Sequence, residues 1–180
     1  ITAPTLTFTG SINDVENVDA CYSESHKSQL LTADQVKAMY TSSCSREISV
    51  EISDNVVRSS DCDWMITRTY NISDGGCNTD SKTMSVSGSD QTAPAIGTDD
   101  LDSTLTATNC VFRIPDLTTE VRNISNDLCT PNVDLIISQS PAAGTVLAQT
   151  DAAQNVTVTV TVKDLCGNES TKEVVVVVPT

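Results

Sequence analysis

The sequence predicts an all-β protein made of two tandem antiparallel β-sandwich domains, and three observations predict it. Thr, Ser and Val are abundant, whereas the 180 residues include 7 Gly and 6 Pro, a composition that favours strands over disorder. The Thr-Ala-Pro triplet at residues 2–4 recurs at residues 92–94, a period of 90 residues that matches the length of one sandwich domain. Each half closes with a strand, a polar turn and a second strand. We therefore expect one domain over residues 1–91 and another over residues 92–180.

The second half contains the most regular strand pattern. Residues 156–162 alternate strictly between Val and Thr, so the valines face a core and the threonines face water. A turn of Asp, Leu, Cys, Gly and Asn at residues 164–168 leads to five consecutive valines at residues 174–178. This order predicts an antiparallel hairpin. The valine run leaves two alternatives, a strand covered on both faces or one left uncovered by truncation.

The first half repeats this order with a less apolar strand. Trp64, Ile66 and Tyr70 fall on one face of the predicted strand, and Arg68 falls on the same face. A turn rich in Asp and Gly follows at residues 73–78. The inward face of the first domain is therefore expected to include a charge.

One segment of the first half breaks the strand pattern. Thr32 and Gln35 have the spacing of a capping box, and Val36, Met39 and Tyr40 fall on one apolar face of a helix. We predict a short helical insertion near residues 33–41, packed across an end of the first sandwich.

The charge balance limits the kinds of partner. The chain has 10 Lys and Arg against 24 Asp and Glu, a formal net charge of −14. Nucleic acids and anionic membranes repel such a surface, so we expect no nucleic-acid partner and no direct membrane insertion of this chain. An acidic surface ordinarily serves solubility, and binding of divalent cations is the alternative.

The cysteines predict disulfide bonds. No two of the seven have the spacing of a zinc or redox motif, and the chain has a single histidine, His26. Disulfides place a protein in an oxidising compartment, so we expect an extracellular or cell-surface location. The first residues lack the charged and apolar regions of a signal peptide, and we expect the sequence to be part of a longer exported protein.

Three stretches of the second half resemble a known family. They are Asn109-Cys110 through Pro115, the Ser-Pro-Ala-Ala-Gly-Thr run at residues 140–145, and the strand and turn at residues 160–168. Together they are similar to the hyalin-repeat-like (HYR-like) modules of long bacterial surface proteins, and the first half resembles the same modules. The resemblance implies an immunoglobulin-like sandwich strung head to tail in adhesin-like or stalk-like proteins.

The resemblance also implies a disulfide pairing. It joins Cys129 to Cys166, and alignment of the two repeats then joins Cys44 to Cys77. Cys21 and Cys62 remain as the other pair of the first half, although four cysteines allow three connectivities. Cys110 is left over, either as a buried inert thiol or as one end of an intermolecular bridge. The family turn has the pattern Asp-x-Cys-Gly-Asn, where x is any residue. The first half has Asp-Gly-Gly-Cys-Asn at residues 74–78 instead, so its turn geometry is expected to differ.

The residue types do not predict an enzyme. Nucleophilic catalysis needs a base beside the nucleophile, and His26 falls in a polar loop where we expect a surface position. Sugar-cleaving clefts are rimmed by aromatic residues, which make up 3% of this chain.

Two features remain as candidates for binding or modification. Asp99, Asp100 and Asp102 cluster just after the predicted domain junction and are the candidate ligands of a structural calcium ion, the one cofactor considered. The alternative is a solvated acidic linker. Glycosylation sequons, which matter only in a host that uses them, occur at Asn71, Asn123, Asn155 and Asn168.

The sequence therefore favours a structural and adhesive module. It would act as a spacer or as a weak binder of a surface protein or glycan on a host or neighbouring cell, next to adjacent domains of a longer chain. The alternative is a carbohydrate-binding or accessory module of a surface glycan-processing enzyme.

Overall fold

The structure is a computed structural model that describes residues 3–44, 46–108, 111–149 and 151–180. The chain divides into two compact units, residues 1–90 and 91–180, one residue earlier than the expected boundary. Strands dominate both units, which confirms the all-β class. Helical turns are short in each of them.

Unit 1 is built around one large sheet. Its four strands lie in the order β2-β6-β5-β4, and β4, β5 and β6 form an antiparallel meander, whereas β2 runs parallel to β6. A second, two-stranded sheet pairs β1 with β3. The elements in chain order are β1 (Leu6–Phe8), β2 (Val15–Asp19), a 3-10 helix (Glu24–Gln29), α1 (Ala33–Lys37), β3 (Tyr40–Ser42), β4 (Ser49–Ser60), β5 (Asp63–Ser73) and β6 (Thr79–Ser89).

The core of unit 1 lies on the inner face of this sheet. Trp64, Ile66, Tyr70 and Ile72 alternate along β5 and are all buried, as the period of two predicts. Arg68 shares that face and is also buried. The helical segments, the small sheet and the inner face of β6 pack against these side chains.

The helical insertion is present but shorter than predicted. The capping box forms as expected, because the Gln35 amide N–H donates to Thr32 Oγ1 at 3.3 Å and the Thr32 N–H donates to Gln35 Oε1 at 2.8 Å. The α-helix ends at Lys37, and Tyr40 begins strand β3 rather than closing the helix. Val36 and Tyr40 are buried, so the predicted apolar face does reach the core.

Unit 2 has the same kind of main sheet with shorter edges. Its strands lie in the order β11-β13-β14-β8, and β8 runs parallel to β14. Two small antiparallel sheets pair β10 with β7 and β12 with β9. The elements are β7 (Ala95–Ile96), β8 (Ser103–Thr104), β9 (Phe112–Arg113), α2 (Thr118–Asn123), β10 (Ser125–Asn126), a 3-10 helix (Asn132–Asp134), β11 (Ile136–Ser140), β12 (Val146–Leu147), β13 (Gln154–Lys163) and β14 (Glu169–Val178).

The predicted hairpin of unit 2 is confirmed as β13 and β14. Its inner valines are 0–1% exposed, and they are Val158, Val160, Val162, Val174, Val176 and Val178. Val175 and Val177 point to the other face and are half-buried, so the valine run is covered fully on one face and partly on the other.

Candidate functional site

A disulfide bond ties the end of the large sheet of unit 1 to the segment after β3. Cys44 is bonded to Cys77, the pair expected from the repeat, with the two Cα atoms 6.6 Å apart. The bond closes a loop with a sequence separation of 33 residues, worth roughly 3–4 kcal/mol in the chain-entropy model. Asp74 lies beside this bond, and because both sulfurs are in a disulfide they offer no thiolate to a metal ion.

Four further cysteines of the described residues are disulfide-bonded, and they are Cys21, Cys62, Cys129 and Cys166. Hydrogen bonds of their neighbours support the expected pairing. The Tyr22 N–H, next to Cys21, donates to Asp61 Oδ1 at 2.9 Å, next to Cys62. The pairings Cys21–Cys62 and Cys129–Cys166 stay predictions.

Cys129 and Cys166 are brought together in a similar way. The Leu165 N–H, next to Cys166, donates to Thr130 Oγ1 at 3.2 Å, next to Cys129. Cys110, the expected leftover thiol, lies outside the described residues. Disulfide bonding of this kind is typical of an oxidising environment. Among the described residues, no helix combines the length and apolar character needed to cross a bilayer.

The hairpin turns of both units are closed by the same Asp–Asn bracket. In unit 1, Asp74 Oδ1 accepts the Asn78 backbone N–H at 2.6 Å and Oδ2 accepts the Asn78 side-chain amide at 2.9 Å. In unit 2, Asp164 accepts the same two groups from Asn168 at 2.8 and 2.7 Å. Both aspartates are buried, and their positions differ by the repeat period of 90 residues.

The expected difference in turn geometry appears inside the bracket. Gly75 and Gly76 have φ of 80° and 97°, whereas in unit 2 the left-handed residue is Gly167, also at 97°. Glycine adopts this region without steric cost, so each turn places its glycines where the backbone needs them. Both turns keep the Asp–Asn hydrogen bonds, but the residues with a left-handed backbone conformation occupy different positions in the two turns.

The Asp74 carboxylate is held as an anion by its neighbours. The Ser42 hydroxyl donates to Oδ2 at 2.6 Å, and this bond together with the Asn78 side-chain amide lowers the pKa of Asp74. The carboxylate therefore joins β3, the turn and the disulfide segment in one hydrogen-bonded cluster.

Asp99, Asp100 and Asp102, the expected calcium ligands, are exposed. Asp102 Oδ1 accepts the Val175 N–H at 2.7 Å, and Asp100 Oδ1 accepts the Asp102 N–H at 2.9 Å. Asp102 thereby satisfies a backbone donor at the sheet edge beside β8. A shared calcium site stays a prediction, since these contacts fit a capping role equally well without a metal.

Two other carboxylates of unit 2 meet closely, and the sequence did not single them out. Oxygen atoms of Asp127 and Asp164 lie within 4.8 Å of each other. Asp127 Oδ1 accepts the N–H groups of Cys129 and Thr130 at 2.9 and 2.7 Å. Such a pair supplies two of the six to eight oxygen ligands that calcium takes.

His26 is a half-buried residue and not the surface histidine expected. Its ring stacks on Trp64 with centroids 4.6 Å apart and planes 17° apart. Nε2 lies 3.0 Å from the Cys21 carbonyl oxygen, and Nδ1 lies 3.1 Å from the Gln29 amide nitrogen. The sequence missed this because the 3-10 helix that carries His26 is fixed by packing on Trp64.

Arg68 accounts for the charge on the inner face of unit 1. Its guanidinium donates to both oxygens of Asp54 on β4 and to the Leu31 carbonyl oxygen at 3.3 Å. The guanidinium bonds lower the pKa of Asp54, and Lys27 Nζ lies 3.6 Å from the same carboxylate. The pair joins β4 to β5, and its further contacts with Leu31 and Lys27 tie it to the helical segment that precedes β3.

A shallow polar groove lies at one end of β4, β5 and β6. Its volume is about 600 Å³, and it has no aromatic side chain in its lining. The lining residues are Ser49, Glu51, Asn71, Ile72, Ser73, Thr79, Asp80 and Ser81. Hydroxyl, amide and carboxylate groups of this kind hydrogen-bond to hydroxylated ligands.

The four sequons differ in how the structure uses their asparagines. Asn71, Asn123 and Asn155 are exposed. The Asn168 side chain is part of the turn bracket and is therefore occupied.

The chain matches no protein-family model and no curated protein. Among solved structures it is similar to protocadherin gamma B2 extracellular cadherin domains 3–6, at 11% sequence identity and a TM-score of 0.31. The alignment covers 97% of this chain and 47% of that chain, so this chain spans about half the length of that structure. A likeness at this TM-score carries no inference about family or function.

Proposed function

We propose that this chain is a structural and adhesive module, a tandem of immunoglobulin-like, HYR-like sandwiches from a longer bacterial surface or secreted protein. It acts as a spacer that presents neighbouring domains and makes weak contacts with a surface protein or glycan of a host or neighbouring cell. The observation that carries the proposal is the repeated Asp–Asn bracket of Asp74–Asn78 and Asp164–Asn168 on repeated hairpins.

The repeat extends from the turns into the cores. Tyr70 and Ile72 on β5 are buried, and so are Val160 and Val162, which follow them by the same period on β13. Each unit thus closes its own core around its own hairpin. A domain with its own core could in principle fold alone, which suits a module that is repeated along a spacer.

The disulfides support a role outside the cell under mechanical load. A spacer must resist extension, and the Cys44–Cys77 bond keeps its loop closed even when the surrounding strands separate. This gives unit 1 a covalent limit on its length that burial alone does not provide.

The proposal includes the absence of catalysis. It is supported by the environment of His26, whose two ring nitrogens are engaged with Cys21 and Gln29 and whose face is covered by Trp64. A histidine held this way has no free nitrogen for a nucleophile or a substrate.

Single-molecule stretching of the chain tests the spacer function. We expect two separate unfolding events and an extension shorter than that of the fully extended chain. Reduction should lengthen it by at least about 110 Å, the reach of the 33-residue segment closed by Cys44 and Cys77. One cooperative event, or a length unchanged by reduction, contradicts the proposal.

A carbohydrate-binding module is the second candidate, and the polar groove on unit 1 favours it. A glycan array probed with the parent chain, with Glu51→Gln and with Glu16→Gln separates the two. Glu51 lines the groove, whereas Glu16 is an exposed side chain on β2 and serves as the control. Saturable binding to one sugar class that is lost in Glu51→Gln and kept in Glu16→Gln replaces the spacer function with carbohydrate binding. Binding to no glycan leaves the spacer function standing.

A further inference from the structure

Strand β4 is a long and open edge of the sheet in unit 1. It has twelve residues, and every one except Val50 is exposed. In the part of the chain that the structure describes, β5 is its only strand neighbour. The Asp54 side chain, which is held by Arg68, is 19% exposed.

The edge of this sheet opposite β4 is blunted. The opposite edge of the same sheet, β2, has five residues, a register shift between Val15 and Val18, and a left-handed Asn17 at φ 59°. Short strands and bulges of this kind discourage pairing with another chain.

The corresponding edge strand of unit 2, β11, ends earlier than β4 does. Ser53 pairs with Thr69, and Ser140 pairs with Thr159, which follows Thr69 by the repeat period. Strand β11 ends at Ser140, where Pro141 has no N–H to offer, whereas β4 continues through Ser60. Residues 54–60 of β4 therefore extend past the point where unit 2 stops its edge.

Strand β4 carries exposed apolar side chains on both faces. Ile52 and Val56 are 46% and 38% exposed and lie on the face of Tyr70 and Ile66, their partners on β5. Val57 is 56% exposed and lies on the opposite face beside Met65. An edge strand with this composition gains from a neighbouring strand, because pairing covers its apolar side chains as well as its backbone groups.

We propose that β4 pairs antiparallel with β4 of a second copy of this chain, with Val56 opposite the Val56 of that copy at a two-fold axis. The residue pattern of β4 selects this occupant, because the strand is complementary to itself. Residues opposite one another in a sheet share a face, so a two-fold pairing can place only residues of the same face together.

Charge decides between the registers that this rule allows. With Val56 on the axis, Asp54 lies opposite Arg58 of the other copy, and the same pair forms again on the other side of the axis. With Asp54 on the axis, two carboxylates face each other, which is unfavourable. Arg58 can turn toward the other copy at little cost, because its present contacts are weak. They are an ion pair of 3.4 Å with Asp61 at the surface and a position 4.7 Å over the Tyr22 ring.

We expect a low affinity between the two copies, because each has a formal charge of −14 and they repel one another. Repulsion between two such chains is screened beyond about 8 Å at physiological ionic strength, so measurements belong at that salt concentration or above. Sedimentation velocity over a concentration series should show the 19.1 kDa chain in equilibrium with a species of twice that mass.

Two variants with matched controls test the register. Val56→Lys places two ammonium groups at the axis and should abolish the dimer, whereas Thr83→Lys, an exposed position on β6 of the same sheet, should leave it unchanged. Val56→Cys should form an intermolecular disulfide, because opposed Cα atoms in antiparallel pairs lie about 4.5–5.5 Å apart. Thr83→Cys is its control and should not be trapped.

Circular dichroism of each variant establishes that it is folded, and hydrogen exchange gives an independent readout. Amides of residues 52–60 should gain protection as the parent concentration rises, while those of β2 should not. A parent chain that stays at 19.1 kDa throughout the series overturns the proposal and leaves a strand of a different protein as the occupant of β4. A dimer that survives Val56→Lys overturns it as well, since the interface then lies elsewhere.

Discussion

Arg68 binds Asp54 across the β4–β5 hairpin through two hydrogen bonds, from Nε to Oδ1 at 2.7 Å and from Nη2 to Oδ2 at 2.9 Å. The two residues are direct partners in the strand register, and their side chains are 11% and 19% exposed. One repeat period later, the corresponding residue of unit 2 is Val158, which is fully buried. Unit 1 therefore places an ion pair where unit 2 has an aliphatic side chain.

Replacing Arg68 with an uncharged residue should make unit 1 easier to unfold. We expect Arg68→Met to lower the free energy of unfolding of unit 1 by about 2 kcal/mol, because the Asp54 carboxylate, whose side chain is 19% exposed, loses both guanidinium hydrogen bonds and keeps only the Lys27 ammonium, 3.6 Å away. Trp64 is the single tryptophan of the chain and lies in unit 1, so denaturant titration followed by tryptophan fluorescence reports this unit alone.

The double variant separates the pair from simple loss of packing. Arg68→Met combined with Asp54→Leu removes both charges and should recover more than half of the lost stability, since apolar replacement of a buried pair is often neutral. A double variant as unstable as Arg68→Met would falsify the buried-charge explanation.

Acid should weaken the turn of unit 1 through Asp74. Its pKa is lower in the folded chain than the ordinary value of 3.8, because the Ser42 hydroxyl and the Asn78 amide donate to the anion. A carboxyl with a lowered folded pKa contributes stability that is present above its unfolded pKa and is lost as the pH falls through the folded value. The denaturant concentration at which half of unit 1 is unfolded should therefore decrease when the pH is lowered below about 4.

Asp74→Asn isolates this contribution from those of the other acidic residues. The variant should be less stable than the parent at pH 7, and the difference should shrink as the pH falls below about 4, where the unfolded chain begins to protonate Asp74 and the folded chain does not. Glu16→Gln, at an exposed position on β2, should follow the parent at every pH. A constant difference between Asp74→Asn and the parent from pH 7 to pH 3 contradicts the proton-linked role.

Regular alternation made both hairpins predictable, and the rest of the fold depends on contacts that alternation does not encode. Residues 156–162 repeat with a period of two over a full strand, so β13 could be placed from the sequence alone. Strands of two residues, such as β7 and β8, and the helix α2 exist because the packed sheet holds them, and no local pattern marks them.

The candidate site shows the same division. The Asp–Asn brackets lie inside the turns that the repeat marked, yet their hydrogen bonds emerged only from the folded geometry. Arg68 stood out as a charge on an apolar face, but finding Asp54 required the register of β4, a strand the composition did not delimit. Apolar residues at Val50, Ile52 and Val56 were the available signal for that strand.

A side chain at Gly88 should disturb the core of unit 1. A Cβ there would lie 2.5 Å from Cζ2 of Trp64 and closer still to the Val18 carbonyl oxygen. In unit 2 the corresponding cross-strand pair is Gln154 with Val178, so each hairpin joins one larger and one smaller side chain at this point.

Gly88→Ala should therefore cost about 2 kcal/mol, the typical effect of overpacking a closed core. Tryptophan fluorescence should register the displaced Trp64 ring together with a lower unfolding midpoint. Ser87→Ala, on the same strand but the opposite face, is the control and should change stability by less than about 0.5 kcal/mol. Equal effects of the two variants would mean that the strand responds to any substitution.

Asp102 should stabilise the edge of the unit 2 sheet without a metal ion. Its Oδ1 accepts the Val175 N–H at 2.7 Å, directly before the point where β8 begins to pair with β14 at Ser103 and Val176. The Leu105 N–H continues the contact by donating to the Val177 carbonyl oxygen at 2.8 Å. We expect Asp102→Ala to cost about 1 kcal/mol, because a backbone donor loses its acceptor.

Hydrogen exchange of the Val175 amide is the direct readout, since unit 2 contains no tryptophan. Protection of that amide should fall by about fivefold in Asp102→Ala, the factor that corresponds to 1 kcal/mol, and should stay unchanged in Asp99→Ala, which removes the same charge from the same loop. The measurement is then repeated with calcium chloride. If calcium protects the parent and either variant abolishes that gain, the acidic cluster binds the ion and the capping role is secondary. If calcium leaves all three chains unchanged, Asp102 acts by accepting the Val175 N–H, and the expected calcium site is wrong.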